Sequence, residues 1–276
     1  MGEERKNGYI WLAIAYGFAL LIGYYVYGFF ALDLGLIEQT LILNFVATTV
    51  IYCFSYAFKN ANFYLPYWGL QPIFLTFFLI VSANDTGDIM RQLAVLSVVL
   101  IWGLRLTWHF LRDWKSLLHQ DWRYTKLEHA SQKWFPLISF FGIMLLPTIL
   151  VFLGCLPLFD ALVVGQNPFN FIDIIALLVS LSGFLIQYIA DNQLHFFIKN
   201  RSNNNQILNT GLWKYSRHPN YFGEILFWIG IALFGVATVG DIEWEHILGV
   251  ILIILFFYFI SIPLQKKQLS EQKISQ

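Results

Sequence analysis

The sequence predicts an all-α protein that crosses the membrane seven or eight times. Of its 276 residues, 58% are hydrophobic and only 12% are charged, which is about half of the charged fraction of a soluble domain. The apolar residues form repeated runs of about twenty, the length of a helix that crosses a bilayer. The net charge is zero, so the composition gives no basic footprint that would suggest nucleic-acid binding.

Eight apolar runs are candidate spans, and hydropathy is clear for most of them. The first follows the mixed-charge segment MGEERKNG and has the full length of a span, so we expect a membrane helix and not a cleaved signal peptide. The spans are 9–32, 38–58, 66–83, 92–111, 136–159, 171–190, 221–240 and 246–265.

Prolines distinguish two of these spans from the others. The third is short and contains Pro66, Gly69 and Pro72, which predict either a broken helix or a re-entrant one. A re-entrant segment would give seven spans and would move the N-terminus to the other side of the membrane. Pro147 and Pro157 predict a kink in the fifth span.

The distribution of Lys and Arg predicts which side faces the cytoplasm. With eight spans and a cytoplasmic N-terminus, fifteen of the seventeen fall on the cytoplasmic side. Loops 112–135 and 191–220 and the C-terminus are therefore expected there. Asp160 and Asp173 are expected in solvent on the opposite side, and the six histidines show no spacing typical of a metal site.

A dense polar cluster directly precedes the seventh span, in the segment LWKYSRHPNYFGEIL at 212–226. Glu224 lies one turn inside the apolar run, where a carboxylate is costly and is generally functional. The remaining polar members of the cluster are Lys214, Tyr215, Ser216, Arg217, His218 and Asn220.

A second polar stripe leaves the membrane at the end of the sixth span. Gln187, Asp191 and His195 are spaced i, i+4 and i+8, so they share one helix face. Asn220 and Glu224 are spaced i, i+4 as well, and the glycine before Glu224 permits close backbone approach. Two such faces joined by a basic loop can line a pocket for a ligand with phosphates, ribose hydroxyls or a carboxamide. The alternative is that these residues cap two helix ends and contact lipid head groups.

The segments ADNQ (190–193) and GLWKYSRHPNYFGE (211–224) together resemble the steroid 5-alpha-reductase C-terminal domain family, in particular its bacterial branch. The likeness extends upstream to NANFYLPYWGLQP (60–72), WGLRL (102–106) and QDWRY (120–124), and covers about residues 60–265. The Arg-His-Pro-x-Tyr element alone also occurs in sterol reductases and isoprenylcysteine carboxyl methyltransferases. The Asn-Tyr-x-Gly-Glu continuation favours the reductases.

The resemblance implies NADPH in a cavity that is open to the cytoplasm, within a reductase domain at 59–276 that follows membrane helices at 1–58. It also implies the bacterial inner membrane. The implied reaction reduces a carbon–carbon double bond conjugated to a carbonyl in a lipophilic substrate, such as a 3-oxo-Δ4 steroid or a related lipid. The cofactor-binding residues carried over are Asp191, His195, Tyr215, Arg217, His218, Asn220 and Glu224, with Arg105 and Arg123 as further phosphate or ribose contacts.

The family polarises the substrate carbonyl with a carboxylic acid and a tyrosine from its N-terminal half. Tyr64 and Tyr67 are the candidate hydrogen-bond donors here, and their alternative role is to anchor the chain at the membrane interface. Leu65 stands where the bacterial branch commonly has the acid, so the usual acid–tyrosine pair is not expected in this chain.

Two other functions remain open: an S-adenosylmethionine-dependent enzyme resembling isoprenylcysteine methyltransferase, and a non-catalytic lipid-binding protein. The methyltransferases normally carry an acidic pair after the last span, where this chain has Gln-Lys-Lys-Gln at 265–268. The tail is also shorter than in the reductases and lacks their tyrosine, which predicts a truncated chain or an incomplete cofactor lid. A lipophilic small molecule and membrane lipid are the expected partners, and the oligomeric state is not indicated.

Overall fold

The computed structural model describes residues 2–31, 33–83, 87–203 and 206–265. Across these residues the chain is helical and forms no β-strand. Eight helical segments in the described part are long and apolar enough to cross a membrane, so the predicted all-α membrane fold is confirmed. The tail from Lys266 onwards, on which the predictions about the C-terminus rest, lies outside the described residues.

The longer α-helices of the described residues are labelled α1 to α9. They are α1 Glu3–Val26, α2 Leu36–Ala57, α3 Tyr67–Ser82, α4 Ile89–Asp113, α5 Trp122–Ser131, α6 Leu146–Gly154, α7 Phe171–Asn200, α8 Pro219–Val239 and α9 Trp244–Phe256. Short 3-10 helices precede α3 at Ala61–Tyr64 and α8 at Gly211–Lys214. π turns lie at Tyr27–Ala31, Ser139–Leu145, Asp160–Val164 and Phe257–Ser261.

The structure bears on three sequence predictions about the helices. The third span is interrupted, as its prolines predicted: a 3-10 helix at Ala61–Tyr64 and a turn at 65–66 precede α3, which contains Pro72. The segment Ala61–Ser82 is long and apolar enough to cross the membrane, which disfavours the re-entrant alternative. The predicted loop 112–135 contains the ten-residue helix α5, whose polar sequence carries no membrane signal. The sixth helix continues beyond the predicted span at 171–190 to Asn200, which agrees with the prediction that the polar stripe lies on a helix leaving the membrane.

Contacts divide the chain into two compact units, the first made of residues 1–75 and 102–152 and the second of 76–101 and 153–276. The predicted boundary at 58/59 separates N-terminal membrane helices from a catalytic domain; it is a functional division and stays a prediction. In the first unit, the buried core includes Ile51, Phe63 and Met144. The side chains of Arg5 and Tyr9 in α1 both donate hydrogen bonds to the carbonyl of Leu111, and Arg5 donates another to the carbonyl of Arg112. These bonds provide partners for backbone carbonyls at the C-terminal end of α4.

The second unit buries a salt bridge that the sequence analysis did not predict. Arg91 at the start of α4 makes two hydrogen bonds to Asp173 of α7, at 2.7 and 2.8 Å, and both side chains are fully buried. The expectation that Asp173 is solvated is wrong. Asp160, expected in solvent as well, is only partly exposed and lies 3.0 Å from Nε2 of the buried His246.

Asp88, in the turn before α4, forms several hydrogen bonds within the second unit. Its carboxylate accepts hydrogen bonds from the backbone amides of Phe169, Arg91 and Met90. The bond from Phe169 is the largest of the effects that hold the pKa of Asp88 below its usual value. The deprotonated carboxylate therefore ties the start of α4 to the loop before α7.

Candidate functional site

The candidate site in the second unit is built on the packing of α7 against α8. Small residues face each other along this contact, with Ser180 and Gly183 of α7 against Gly230 and Gly223 of α8. A Cβ atom added to Gly223 would lie 2.6 Å from the carbonyl oxygen of Gly183. The predicted close backbone approach at Gly223 is confirmed, and it brings the polar ends of the two helices together.

Asp191 and Asn220, which were predicted from separate segments, are in contact at this end. Nδ2 of Asn220 donates a hydrogen bond to Oδ1 of Asp191 at 3.2 Å. Oδ1 of Asn220 accepts one from the backbone amide of Tyr221 at 3.1 Å. Both side chains of the pair are only partly buried, so a polar ligand can reach them from solution.

The loop before α8 is fastened to the end of α7. The backbone amide of Leu212 donates to Oε1 of Gln193 at 3.0 Å, and Nε1 of Trp213 donates to the carbonyl of Ala190 at 3.0 Å. Gly211 has φ of +58°, a conformation that favours glycine, and a Cβ atom there would collide with Gln193. Hydrogen bonds and close packing therefore join the segments 190–193 and 211–224 directly.

Stacked aromatic rings connect the start of α8 to the residue that follows α9. The His218 ring stacks on Tyr221, with ring centres 5.2 Å apart, and Tyr221 stacks on Phe257 with ring centres 4.4 Å apart. Arg217 is exposed, and the Tyr215 side chain is 84% exposed with Lys214 over its ring. The surface of this end thus carries cationic and aromatic groups.

Two further predicted residues lie on either side of the Asp191–Asn220 contact along the helices. Glu224 lies one turn deeper in α8 and is only 7% exposed, and its Oε1 accepts a hydrogen bond from Nε1 of Trp228 at 3.0 Å. His195 lies one turn beyond Asp191 on α7 and is half-buried. Helix α7 is continuous over the predicted stripe of polar residues, so their common face is confirmed.

In the first unit, Tyr64 and Tyr67 are buried and both hydroxyls have hydrogen-bond partners. Oη of Tyr64 lies 2.9 Å from Oγ1 of Thr148, and Oη of Tyr67 donates to Oδ1 of Asn44 at 2.9 Å. The side chains are 3% and 4% exposed. This burial does not fit the alternative that these tyrosines anchor the chain at the membrane interface, where their hydroxyls would be wet.

Arg105 and Arg123, the two additional candidates, also belong to the first unit. Arg105 is buried within α4. The exposed Arg123 makes two hydrogen bonds of 2.9 Å to Asp121, the residue that caps α5. Burial raises the pKa of Asp121, but its bonds with Arg123 outweigh that effect and the pKa lies below its usual value. The charge of Arg123 therefore stabilises a helix cap.

Comparison with known proteins gives a family for the chain. Residues 51–276 match the family described as "Protein of unknown function (DUF1295)". The chain belongs to the DUF1295 family. An uncharacterized protein of Schizosaccharomyces pombe is 25% identical over 227 residues, which are 74% of this chain and 66% of that protein, so the chain spans just under two thirds of that relative. No solved structure matches the chain.

The first unit of this DUF1295 chain contains polar residues that the sequence analysis missed. Oγ1 of Thr148 is 2.9 Å from the hydroxyls of both Tyr64 and Thr48, and its carbonyl accepts a hydrogen bond from Gln71. One signal was present, because Thr40, Asn44 and Thr48 are spaced i, i+4 and i+8 within an apolar span. Polar residues at that spacing in a membrane helix face the protein interior, as these do.

Proposed function

We propose that this chain is an NADPH-dependent membrane reductase that acts on a lipophilic α,β-unsaturated carbonyl compound, such as a 3-oxo-Δ4 steroid or a related lipid. The observation that carries the proposal is the contact between Asp191 and Asn220. It joins, at one accessible end of a helix pair, the two segments that resemble the steroid 5-alpha-reductase family. Asp191 gains nothing from an anionic lipid surface, so a role confined to lipid head groups does not explain it.

The side chains at this end fit the chemical groups of a dinucleotide. Arg217 and Lys214 are exposed cations that can hold phosphates. Asp191 and Asn220 supply a carboxylate and an amide, which suit ribose hydroxyls or a carboxamide. The exposed ring of Tyr215 offers a flat apolar face. Tyr221, held between two stacked rings, keeps the start of α8 rigid.

Bound NADPH supplies a hydride for the β carbon of the substrate. The chain contributes a hydrogen-bond donor for the carbonyl oxygen, where negative charge develops as the enolate forms. Tyr64 and Tyr67 are our candidates for that donor, and each hydroxyl has a neutral partner, Thr148 or Asn44. Because neither hydroxyl is partnered by a carboxylic acid in these hydrogen bonds, we expect weaker proton donation than in reductases that have an acid–tyrosine pair.

We place the protein in the bacterial inner membrane, with loops 112–135 and 191–220 and the cofactor-binding end in the cytoplasm. The support is the asymmetry of Lys and Arg along the chain. The cytoplasm is also where the reduced dinucleotide is available to the protein.

A titration of the purified full chain with NADPH, NADH and S-adenosylmethionine tests the proposal. A charge-assisted contact with the 2′-phosphate contributes about 1.5–3 kcal/mol, so NADPH should bind about ten- to a hundredfold more tightly than NADH. Equal affinity for both dinucleotides would contradict this. Tight binding of S-adenosylmethionine alone would favour a methyltransferase, and binding of none of the three would favour a non-catalytic lipid-binding protein.

A further inference from the structure

The first unit carries a surface depression that the proposed reductase activity does not use. Its volume is about 820 Å³. Its lining consists of Lys59, which follows the end of α2, three residues of the loop before α5 and five residues of α5. The loop residues are Leu118, His119 and Gln120, and the α5 residues are Trp122, Thr125, Lys126, Glu128 and His129.

Hydrogen bonds fix two of the lining residues, His119 and Gln120, in place. The buried side chains of Asn60 and Asn62 donate to the carbonyls of Leu117, at 2.6 Å, and His119, at 3.0 Å. Oε1 of Gln120 accepts from the backbone amide of Ala61 at 2.8 Å. These bonds fasten the loop before α5 to the segment before α3, so a ligand would meet a preorganised surface.

Positive groups predominate around the depression. Lys59, after α2, and Lys126, in α5, are exposed lysines among the lining residues. Glu128 is the carboxylate among the lining residues, and its Oε2 accepts a hydrogen bond from Nε2 of Gln120 at 3.0 Å. Two ammonium groups against one carboxylate favour an anion, and lysine is a common partner of phosphate.

Exposed apolar side chains among the lining residues indicate what kind of molecule carries the anionic group. The Leu118 side chain is 85% exposed and that of Trp122 is 38% exposed. Both line the same depression as Lys59, which lies two residues after α2 ends at Ala57 and therefore at the end of a membrane span. Exposed aliphatic and indole groups at that level enter the lipid interface, while lysines beside them meet head groups.

We propose that this depression binds the phosphate-bearing head group of an anionic phospholipid. Lys59 and Lys126 bind the charged head group, and Leu118 and Trp122 contact the adjoining acyl chains. The inference is independent of the proposed reductase activity, because every residue that carries it lies in the first unit and none is among the residues assigned to NADPH or to the substrate carbonyl.

The test uses the purified full chain in a neutral detergent, titrated with a short-chain phosphatidylglycerol or phosphatidylcholine. The double variant Lys59→Gln, Lys126→Gln removes both ammonium groups. Lys115→Gln is the matched control, since it removes an exposed lysine outside the depression from the loop between α4 and α5. At about 1 kcal/mol for each lysine near a membrane surface, the double variant should bind phosphatidylglycerol about thirtyfold more weakly. The control should stay close to wild type.

Three results would overturn the proposal. The first is equal affinity of wild type for phosphatidylglycerol and phosphatidylcholine. The second is unchanged affinity of the double variant for phosphatidylglycerol while its apparent Tm without lipid equals that of wild type, which shows that it is folded. The third is displacement of the lipid by an equal concentration of inorganic phosphate, which would identify a site for free phosphate.

Discussion

Replacing Gly223 by alanine should separate α7 from α8 and weaken the protein. The added Cβ atom would lie 2.6 Å from the carbonyl oxygen of Gly183, 2.8 Å from Cγ of Gln187 and 2.9 Å from the Gln187 amide nitrogen. Two of these three atoms belong to the backbone and cannot rotate away, so the helices must move apart.

The expected cost is that of overpacking a tight contact, about 1–3 kcal/mol. For a protein of this length, we expect the apparent Tm to fall by about 2–4 °C for each kcal/mol. The shift also lengthens the 3.2 Å hydrogen bond between Asn220 and Asp191, because Asn220 lies one turn before the substituted position. Affinity for NADPH should therefore fall together with stability.

Thermal unfolding of the detergent-purified protein measures this effect, and Gly17→Ala provides the matched control. Gly17 is exposed in α1, and a Cβ atom there would meet nothing within 4 Å. The control should keep the wild-type Tm, while Gly223→Ala lowers it. Equal Tm values for wild type and Gly223→Ala would refute the close packing of these helices.

Three further substitutions test individual contacts. Asp88→Asn should lower the apparent Tm at neutral pH and should make the Tm less sensitive to acid. The pKa of the Asp88 carboxyl is lower in the folded protein than in the unfolded chain. The stabilisation by this carboxylate is therefore present above the unfolded pKa and is lost as the pH falls through the folded pKa. Asp173→Asn should destabilise by about 3–5 kcal/mol, since Arg91 stays buried without its charge partner, and Arg91→Met in the same chain should recover part of the lost Tm. Thr148→Val should cost about 1–3 kcal/mol by leaving the Tyr64 hydroxyl buried without its partner, and a Tm equal to wild type would exclude that hydrogen bond.

The sequence predicted those features that depend on a local pattern. Apolar runs gave the spans, because the length of a run and the thickness of the bilayer are directly related. Helical spacing placed the polar residues of α7 on one face, and the glycine at 223 predicted the close approach to α8. Each of these inferences needs only one segment of the chain and the geometry of an α-helix.

The features that the sequence did not predict depend on pairing between distant segments. Arg91 and Asp173 are 82 residues apart, and Asp173 was expected in solvent because nothing nearby in the sequence shows its partner. The contact between Tyr67 and Asn44, which are 23 residues apart, was not predicted either. Helix α5 was missed for another reason: it is polar, so a hydropathy pattern does not distinguish it from a loop.

The affinity of the purified protein for NADPH, in wild type and in substitutions at the start of α8, tests the central claim most directly. Asn220→Ala and Glu224→Gln should each weaken binding about tenfold or more, the effect of losing one hydrogen bond to a charged ligand. Asn200→Ala is the matched control, since this exposed residue at the end of α7 donates its hydrogen bond within its own helix, to the Phe196 carbonyl, and this variant should bind NADPH like wild type. If the wild-type protein binds NADPH and both substitutions leave the affinity unchanged, the Asp191–Asn220 end is not the cofactor site.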